Sequence, residues 1–186
     1  MARSVKHWKR QDVAGCETCR LSRTDQGWRL DGVTIDEDGG APRGFRYIVC
    51  LDAAWRPKSA RVTGWSDEND FDLTLDRHPT GWAVNGTVDP ALQDATDIDL
   101  GFTPATNLCA IRRLDLAIGD SGESQAVWLN DNTWQVAPLR QSYRRRSATR
   151  YDYRSQTGYE TTLTADENGW IVTYPGLWQA HGGHAP

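Results

Sequence analysis

Two adjacent arginines, Arg112 and Arg113, have the chemistry and spacing to recognise an anion. Residues 108–116 fit either a short helix or a strand. On a strand, consecutive side chains point to opposite faces, so one guanidinium would face the interior. An interior guanidinium requires a carboxylate or an anionic ligand, because an unpaired buried charge is strongly destabilising. The candidate carboxylates are Asp99, Asp52 and Glu17. A structural ion pair and a ligand site both remain open.

A second group of arginines and tyrosines lies between residues 140 and 154. It contains six arginines and three tyrosines: Arg140, Arg144, Arg145, Arg146, Arg150, Arg154, Tyr143, Tyr151 and Tyr153. Guanidinium groups donate paired hydrogen bonds to phosphate and carboxylate, so the segment could bind a phosphorylated headgroup, a sulfated headgroup or RNA. The alternative is a solvated hairpin whose arginines discourage edge-to-edge pairing. On an extended strand Gln141 and Tyr143 would share one face.

Other reactive side chains lack the patterns that metal or cofactor chemistry requires. Cys16 and Cys19 form a single Cys-x-x-Cys pair, whereas a structural zinc site usually needs two such pairs. Nucleophile-elbow, phosphate-loop and His-Glu-x-x-His motifs are all missing from the sequence. We therefore expect no metal and no cofactor. An enzyme that acts on a sugar or a small carboxylate through Asp52, Asp99 and Tyr143 is the alternative to a binding function.

The composition predicts one globular domain over residues 1–186, with flexible ends at about residues 1–12 and 180–186. Of the 186 residues, 38% are hydrophobic and 25% are charged, which argues against disorder. A net charge of −4 argues against nucleic acid as the partner. Nucleic-acid binding through the arginines of residues 140–154 is kept as the alternative. No signal peptide or membrane-spanning run is evident, so we expect a cytoplasmic protein with reduced thiols.

The elements that must position these residues are mainly β-strands. Apolar and polar side chains alternate with a period of two, and sustained helical periods are rare. Residues 45–51 carry apolar side chains on both faces, which is typical of a central strand. Residues 71–75 alternate with acidic side chains, and residues 151–174 indicate a meander with two glycine-containing turns. About nine or ten strands are expected, in an antiparallel barrel or sandwich.

Several motifs carry a resemblance to a known family. The most specific are Asp99-Leu-Gly-Phe-Thr-Pro-Ala-Thr-Asn107 and Ile111-Arg-Arg-Leu114. Three shorter pieces agree: Asp52-Ala-Ala-Trp55, Gln141-x-Tyr143-x-Arg145 before Tyr151-x-Tyr153, and Asp166-x-x-Gly169 before Tyr174-Pro-Gly-Leu-Trp178. With these motifs the chain resembles, from about Glu17 to Trp178, the bacterial "putative glycolipid-binding" proteins. It departs from their pattern at Cys109-Ala110, where the family has Leu-Pro.

The resemblance implies an all-β fold, mainly antiparallel, in which a strongly curved sheet forms a closed or unclosed barrel with few short helices. This fold is similar to that of periplasmic lipoprotein carriers, which shelter lipid chains on a concave face. The implied function is non-catalytic binding of an amphiphilic small molecule such as a glycolipid. Ten residues are the expected ligand contacts: Trp28, Tyr47 and Trp55 as apolar walls, and Asp52, Asp99, Asn107, Arg112, Arg113, Gln141 and Tyr143 as polar contacts.

Overall fold

The computed structural model describes residues 3–66 and 69–181 and shows one large β-sheet. The first eight strands are β1 (Arg3–Arg10), β2 (Gly15–Thr24), β3 (Gly27–Asp38), β4 (Ala41–Leu51), β5 (Pro57–Ser66), β6 (Asn69–His78), β7 (Gly81–Val84) and β8 (Thr87–Asp89). A 3-10 turn (Pro90–Leu92), β9 (Asp97–Leu100) and helix α1 (Asn107–Leu114) follow. The last six strands are β10 (Ser121–Leu129), β11 (Val136–Arg145), β12 (Arg150–Ser155), β13 (Glu160–Ala165), β14 (Ile171–Tyr174) and β15 (Trp178–Ala180).

The sheet consists of two meanders that are joined by the pairing of β1 with β15. Strand order runs from β8 back to β1, then from β15 back to β9, so that neighbours in the sheet are mostly neighbours in sequence. Every pairing among the described strands is antiparallel except that of β9 with β10. The sheet does not close, because β8 and β9 form its two edges. The expected all-β fold with an unclosed barrel is confirmed.

Strand β1 occupies residues 3–10 of the segment 1–12 that we expected to be a flexible end. Residues 3–10 lie between β2 and β15 and join the two meanders. Trp8 is fully buried, and its indole N–H donates a 2.7 Å hydrogen bond to the Ile171 carbonyl oxygen. The burial of Trp8 therefore anchors the start of the chain. The expected flexible C-terminal end falls largely on residues 182–186, which lie outside the described residues.

The inner side of the sheet is filled by the chain's own side chains. The largest fully buried side chains are aromatic: Trp8, Trp82, Trp170, Tyr47, Tyr143 and Phe102. Residues 92–109 cross the interior and add Leu92, Leu100 and Leu108 to the same core. This core contains residues of both meanders and packs them together.

The segment that contains Arg112 and Arg113 is helical and belongs to α1. The helix ends at Leu114, and Asp115 follows in the left-handed conformation, with φ of 43°. Both arginines lie in the last turn, where their charge favours the negative end of the helix. Their side chains consequently follow the helical arrangement, and they do not point to opposite faces as adjacent side chains on a strand would. No helix within residues 3–66 and 69–181 has the length and apolar composition that crossing a bilayer requires.

Gly32 allows close contact between β3 and the ring of Tyr47 on β4. A Cβ atom added at Gly32 would lie 2.2 Å from the Tyr47 ring, whereas one added at Gly44 on β4 would lie 3.4 Å from Trp65. Gly32→Ala should therefore lower the free energy of unfolding by about 1–3 kcal/mol through overpacking. Gly44→Ala, the matched control, should change it by less than about 0.5 kcal/mol. Urea unfolding of both variants checks this, and equal losses would contradict it.

Candidate functional site

A groove with a volume of about 340 Å³ opens on the second meander, and we name it the Asp99 groove. Its wall combines carboxylates, amides and aromatic rings: Asp12, Asp99, Asp131, Asn107, Asn132, Trp128, Tyr153, Tyr159, Tyr174 and Trp178. Small-molecule sites commonly combine apolar walls with a few placed polar groups in this way. The groove is therefore the candidate ligand site.

Of the three carboxylates that line the groove, Asp99 differs from Asp12 and Asp131 in having no guanidinium partner among the described residues. It lies on edge strand β9, and its Oδ2 accepts a hydrogen bond from Gln141 Nε2. Within the described residues, Oδ1 accepts no hydrogen bond and the carboxylate has no salt-bridge partner. Burial raises the pKa of Asp99 to about 6, and the charges of Asp131 and Asp97 act in the same direction. Asp99 can thus both accept hydrogen bonds and titrate near neutral pH.

Side chains on β11 and β12 position Asp99 and Tyr153. Gln141 Nε2 also donates a 2.9 Å hydrogen bond to the Tyr153 hydroxyl oxygen. Tyr143 pairs with Tyr153 across the two strands, and their rings meet edge to face at 5.2 Å. Asn107 Nδ2, at the start of α1, donates to the Tyr143 hydroxyl oxygen at 2.9 Å. Two sets of hydrogen bonds, joined by the contact between the Tyr143 and Tyr153 rings, therefore connect the helix, the strands and the groove.

Three tyrosines form an aromatic wall. The ring centroids of Tyr153, Tyr159 and Tyr174 lie 6.1–6.4 Å from one another. Tyr159 is the most exposed of them, at 39%. Burial raises the pKa of all three phenols above the ordinary value, so the hydroxyls remain protonated. The rings offer neutral faces and hydroxyl donors to a ligand.

The one basic side chain that lines the groove among the described residues, Arg10, is already paired. Its Nε donates to Asp12 Oδ1 at 2.9 Å, and its Nη1 donates to Asp36 Oδ2 at 2.8 Å. Asp36 also accepts a hydrogen bond from Arg43, whose Nη2 lies 3.9 Å from Asp131 Oδ2. Two guanidinium groups therefore serve three carboxylates at this side of the groove, and the formal charge there is negative.

Arg113 forms a structural ion pair with Asp97. The guanidinium donates from Nε to Oδ1 at 2.8 Å and from Nη2 to Oδ2 at 2.6 Å. Ser124 Oγ donates to the same carboxylate at 2.6 Å. We expected Asp99, Asp52 or Glu17 as the partner; instead, Asp97 binds this guanidinium and ties α1 to β9.

Four of the predicted residues form a separate cluster outside the wall of the groove. Trp55 stacks on Trp28 with ring centroids 4.6 Å apart, and the exposed Arg112 guanidinium lies 5.1 Å from the Trp55 ring centroid. Asp52 Oδ1 accepts the backbone N–H groups of Ala54 and Arg56 and so caps its own turn. This cluster stabilises the turn between β4 and β5.

Tyr47 lies in the core, next to a buried carboxyl group. Its hydroxyl donates to Glu17 Oε1 at 2.5 Å, and Thr103 Oγ1 donates to the same oxygen at 2.7 Å. Within the described part of the chain, Glu17 Oε2 is buried without a hydrogen-bond partner. Burial raises the pKa of Glu17 to about 8, so the carboxyl group is largely neutral at pH 7.

The arginine-rich segment forms the β11–β12 hairpin. Arg146 pairs with Asp152 at 2.6 Å, and Arg154 pairs with Glu160 at 3.3 Å. Arg145 donates to the carbonyl oxygen of Leu116 at 2.8 Å. Half of the six arginines in this segment are thus engaged in contacts within the protein.

The structure brings four of the ten predicted residues together at the groove. Asp99 and Asn107 line it, while Gln141 and Tyr143 bond to the lining side chains. Sequence reasoning missed several wall residues: Asp131, Tyr159, Tyr174 and Trp178. The Tyr174-to-Trp178 motif was the available signal for the last two. Cys16 and Cys19 are free thiols, and the residues that the structure describes contain no group of side chains that could hold a metal ion.

The protein is thus of the all-β class, with an open, mainly antiparallel sheet and a groove lined by carboxylate, amide and tyrosine side chains. The chain belongs to the family described as "Putative glycolipid-binding", whose sequence model matches residues 5–180. It is similar to a DUF1089 family protein from Pseudomonas aeruginosa, known from a crystal structure. Identity is 30%, the TM-score is 0.75, and the match covers 89% of this chain and 91% of that chain. No curated protein matches the chain.

Proposed function

We propose that this protein is a non-catalytic binder of a glycolipid or a related amphiphile, and that the Asp99 groove holds the polar headgroup. The family description points to glycolipids. The observation that carries the assignment to this groove is the open Oδ1 of Asp99 beside the tyrosine wall. A carboxylate oxygen accepts hydrogen bonds from sugar hydroxyls, and the rings offer apolar faces to a sugar ring.

The groove suits a headgroup better than an acyl chain. Its volume of about 340 Å³ lies at the lower end of the range for small-molecule sites. The interior beyond it is packed with fully buried side chains such as Trp8, Trp170 and Phe102. We therefore place the sugar in the groove and the alkyl chains outside the core.

A second depression, which we name the Trp134 depression, has a similar volume of about 370 Å³. Three of the four polar side chains that line it are already engaged. Asp72 pairs with Arg61, Asn85 Oδ1 accepts the Thr74 N–H, and Asp89 Oδ1 accepts the Ala91 N–H. Because these groups serve the protein itself, the depression offers a ligand fewer polar contacts than the Asp99 groove.

The alternative enzyme hypothesis named Asp52, Asp99 and Tyr143 as the reactive groups. Asp52 is committed to its turn, and the Tyr143 hydroxyl lies in the buried network with Asn107. Asp52 does not line the groove that contains Asp99, whereas hydrolysis of a glycoside generally uses two carboxyl groups that flank the same bond. Binding without catalysis is accordingly the function that we propose.

Asp99→Ala should weaken headgroup binding by roughly tenfold to a hundredfold, because a hydrogen bond to a charged acceptor contributes about 1.5–3 kcal/mol. The probe is n-octyl β-glucoside below its micellar concentration. Tryptophan fluorescence reports its binding, since Trp128 and Trp178 line the groove.

Asp72→Ala is the matched control, because it removes a carboxylate from the rival Trp134 depression. It should leave the affinity unchanged. Saturable binding that survives Asp99→Ala and is lost in Asp72→Ala would move the site to the other depression. An absence of saturable binding to the unmodified protein would overturn the proposed function.

A further inference from the structure

We infer that the Asp99 groove prefers a headgroup that carries a positive charge, in the form of a protonated or quaternary amine. This inference rests on the proposed function and names the chemical class of its ligand. It follows from the balance of charge around the groove and from the rings that face it.

The charges that line the groove leave one carboxylate without a cation. Arg10 is bound to Asp12 and Asp36, and Asp131 faces Arg43. Asp99 has only the neutral amide of Gln141 as its hydrogen-bond partner among residues 3–66 and 69–181. A ligand cation next to Asp99 would supply the missing opposite charge in a partly desolvated position, where such an interaction is stronger than in water.

The tyrosine wall favours the same kind of ligand. A cation is attracted to the face of an aromatic ring within about 6 Å of its centroid, and quaternary ammonium groups are commonly recognised by several rings together. Tyr153, Tyr159 and Tyr174 supply three neighbouring rings beside Asp99. Their raised pKa values keep the hydroxyls protonated, so the wall is uncharged and would attract a cation through its ring faces.

An anionic headgroup fits the groove poorly. Arg10, the basic side chain that lines the groove among the described residues, is already bound by Asp12 and Asp36, and Arg113 is bound by Asp97. A phosphate in the groove would instead lie near the unpaired carboxylate of Asp99, and like charges repel.

Calorimetric titration with four probes tests the inference. Three are methyl β-glycosides of identical ring structure that bear a hydroxyl, an amine or an N-acetyl group at carbon 2. The fourth is tetramethylammonium, which carries the charge without the sugar. At pH 7 and low salt, the amino glycoside should bind at least tenfold more tightly than its two neutral counterparts.

The outcomes separate the inference from the proposed function. Equal affinity for the three glycosides would overturn the charge preference and leave headgroup binding intact. Binding of tetramethylammonium without any glycoside would support the cation site, assign it to a lipid amine and overturn the sugar headgroup. No binding of any probe would overturn both.

Asp99→Asn keeps the shape of the side chain and removes its charge, so it should abolish the preference for the amino glycoside over the hydroxyl glycoside. In the unmodified protein, the affinity for tetramethylammonium, whose charge is fixed, should fall about tenfold from pH 7 to pH 5 as Asp99 becomes protonated. The neutral glycosides serve as the control and should show no comparable loss. A preference that is unchanged in Asp99→Asn would overturn the role of this carboxylate.

Discussion

Arg113→Ala is expected to lower the free energy of unfolding by about 3–5 kcal/mol, since it leaves a buried carboxylate without its cation. Asp97 is only 2% exposed and receives two short hydrogen bonds from the guanidinium. After the substitution, the Ser124 and Thr96 hydroxyls would be the remaining side-chain donors to Asp97. Urea unfolding at pH 7 measures the loss.

Arg61→Ala provides the matched control for this ion pair. Arg61 lies 2.8 Å from Asp72, a comparable distance, but both side chains are 59% exposed. Exposed pairs contribute little, so the control should lose less than about 1 kcal/mol. Similar losses for the two variants would show that burial does not determine the strength of the Arg113–Asp97 pair.

Between pH 5 and pH 8 the protein is expected to lose stability, and Glu17→Gln should remove this loss. The pKa of Glu17 is about 8 in the folded protein, against an ordinary value of 4.5, so folding favours the protonated form. The stabilising contribution of that proton is complete below pH 4.5 and is lost as the pH rises through 8. Linkage gives a loss of about 3 kcal/mol over this interval.

Glutamine keeps an oxygen that can accept from Tyr47 and Thr103, and it does not ionise. The two proteins should therefore have similar stability at pH 5, where Glu17 is neutral in the fold. At pH 8, Glu17→Gln should be more stable by about 3 kcal/mol. Chemical unfolding at pH 5, 6, 7 and 8 checks this, and parallel pH profiles would refute it.

The alternation of side chains predicted about nine or ten strands, and the structure describes fifteen. Residues 45–51 and 71–75 were expected as strands and lie in β4 and β6. Strand β1 was missed because its inward side chains include cations. Lys6 pairs with Asp166 and Arg10 pairs with Asp36, so residues that indicate a solvated end in sequence are satisfied by distant carboxylates.

The site residues that belong to a local sequence motif were predicted. Asp99 and Asn107 belong to the most specific motif, and both line the groove. Asp131 and Tyr159 come from loops, and only the pairing of distant strands brings them to the same place. The partner of Arg113 could not be deduced either, because Asp97 and Asp99 share one face of β9 and the packing of α1 selects between them.

A crystal structure of the protein with n-octyl β-glucoside tests the central claim most directly. We expect the glucose ring in the Asp99 groove, with a hydroxyl within hydrogen-bond distance of Asp99 Oδ1 and the ring beside Tyr159 and Tyr174. The octyl chain should lie outside the packed core. Detergent bound in the Trp134 depression, with the Asp99 groove empty, would contradict the account.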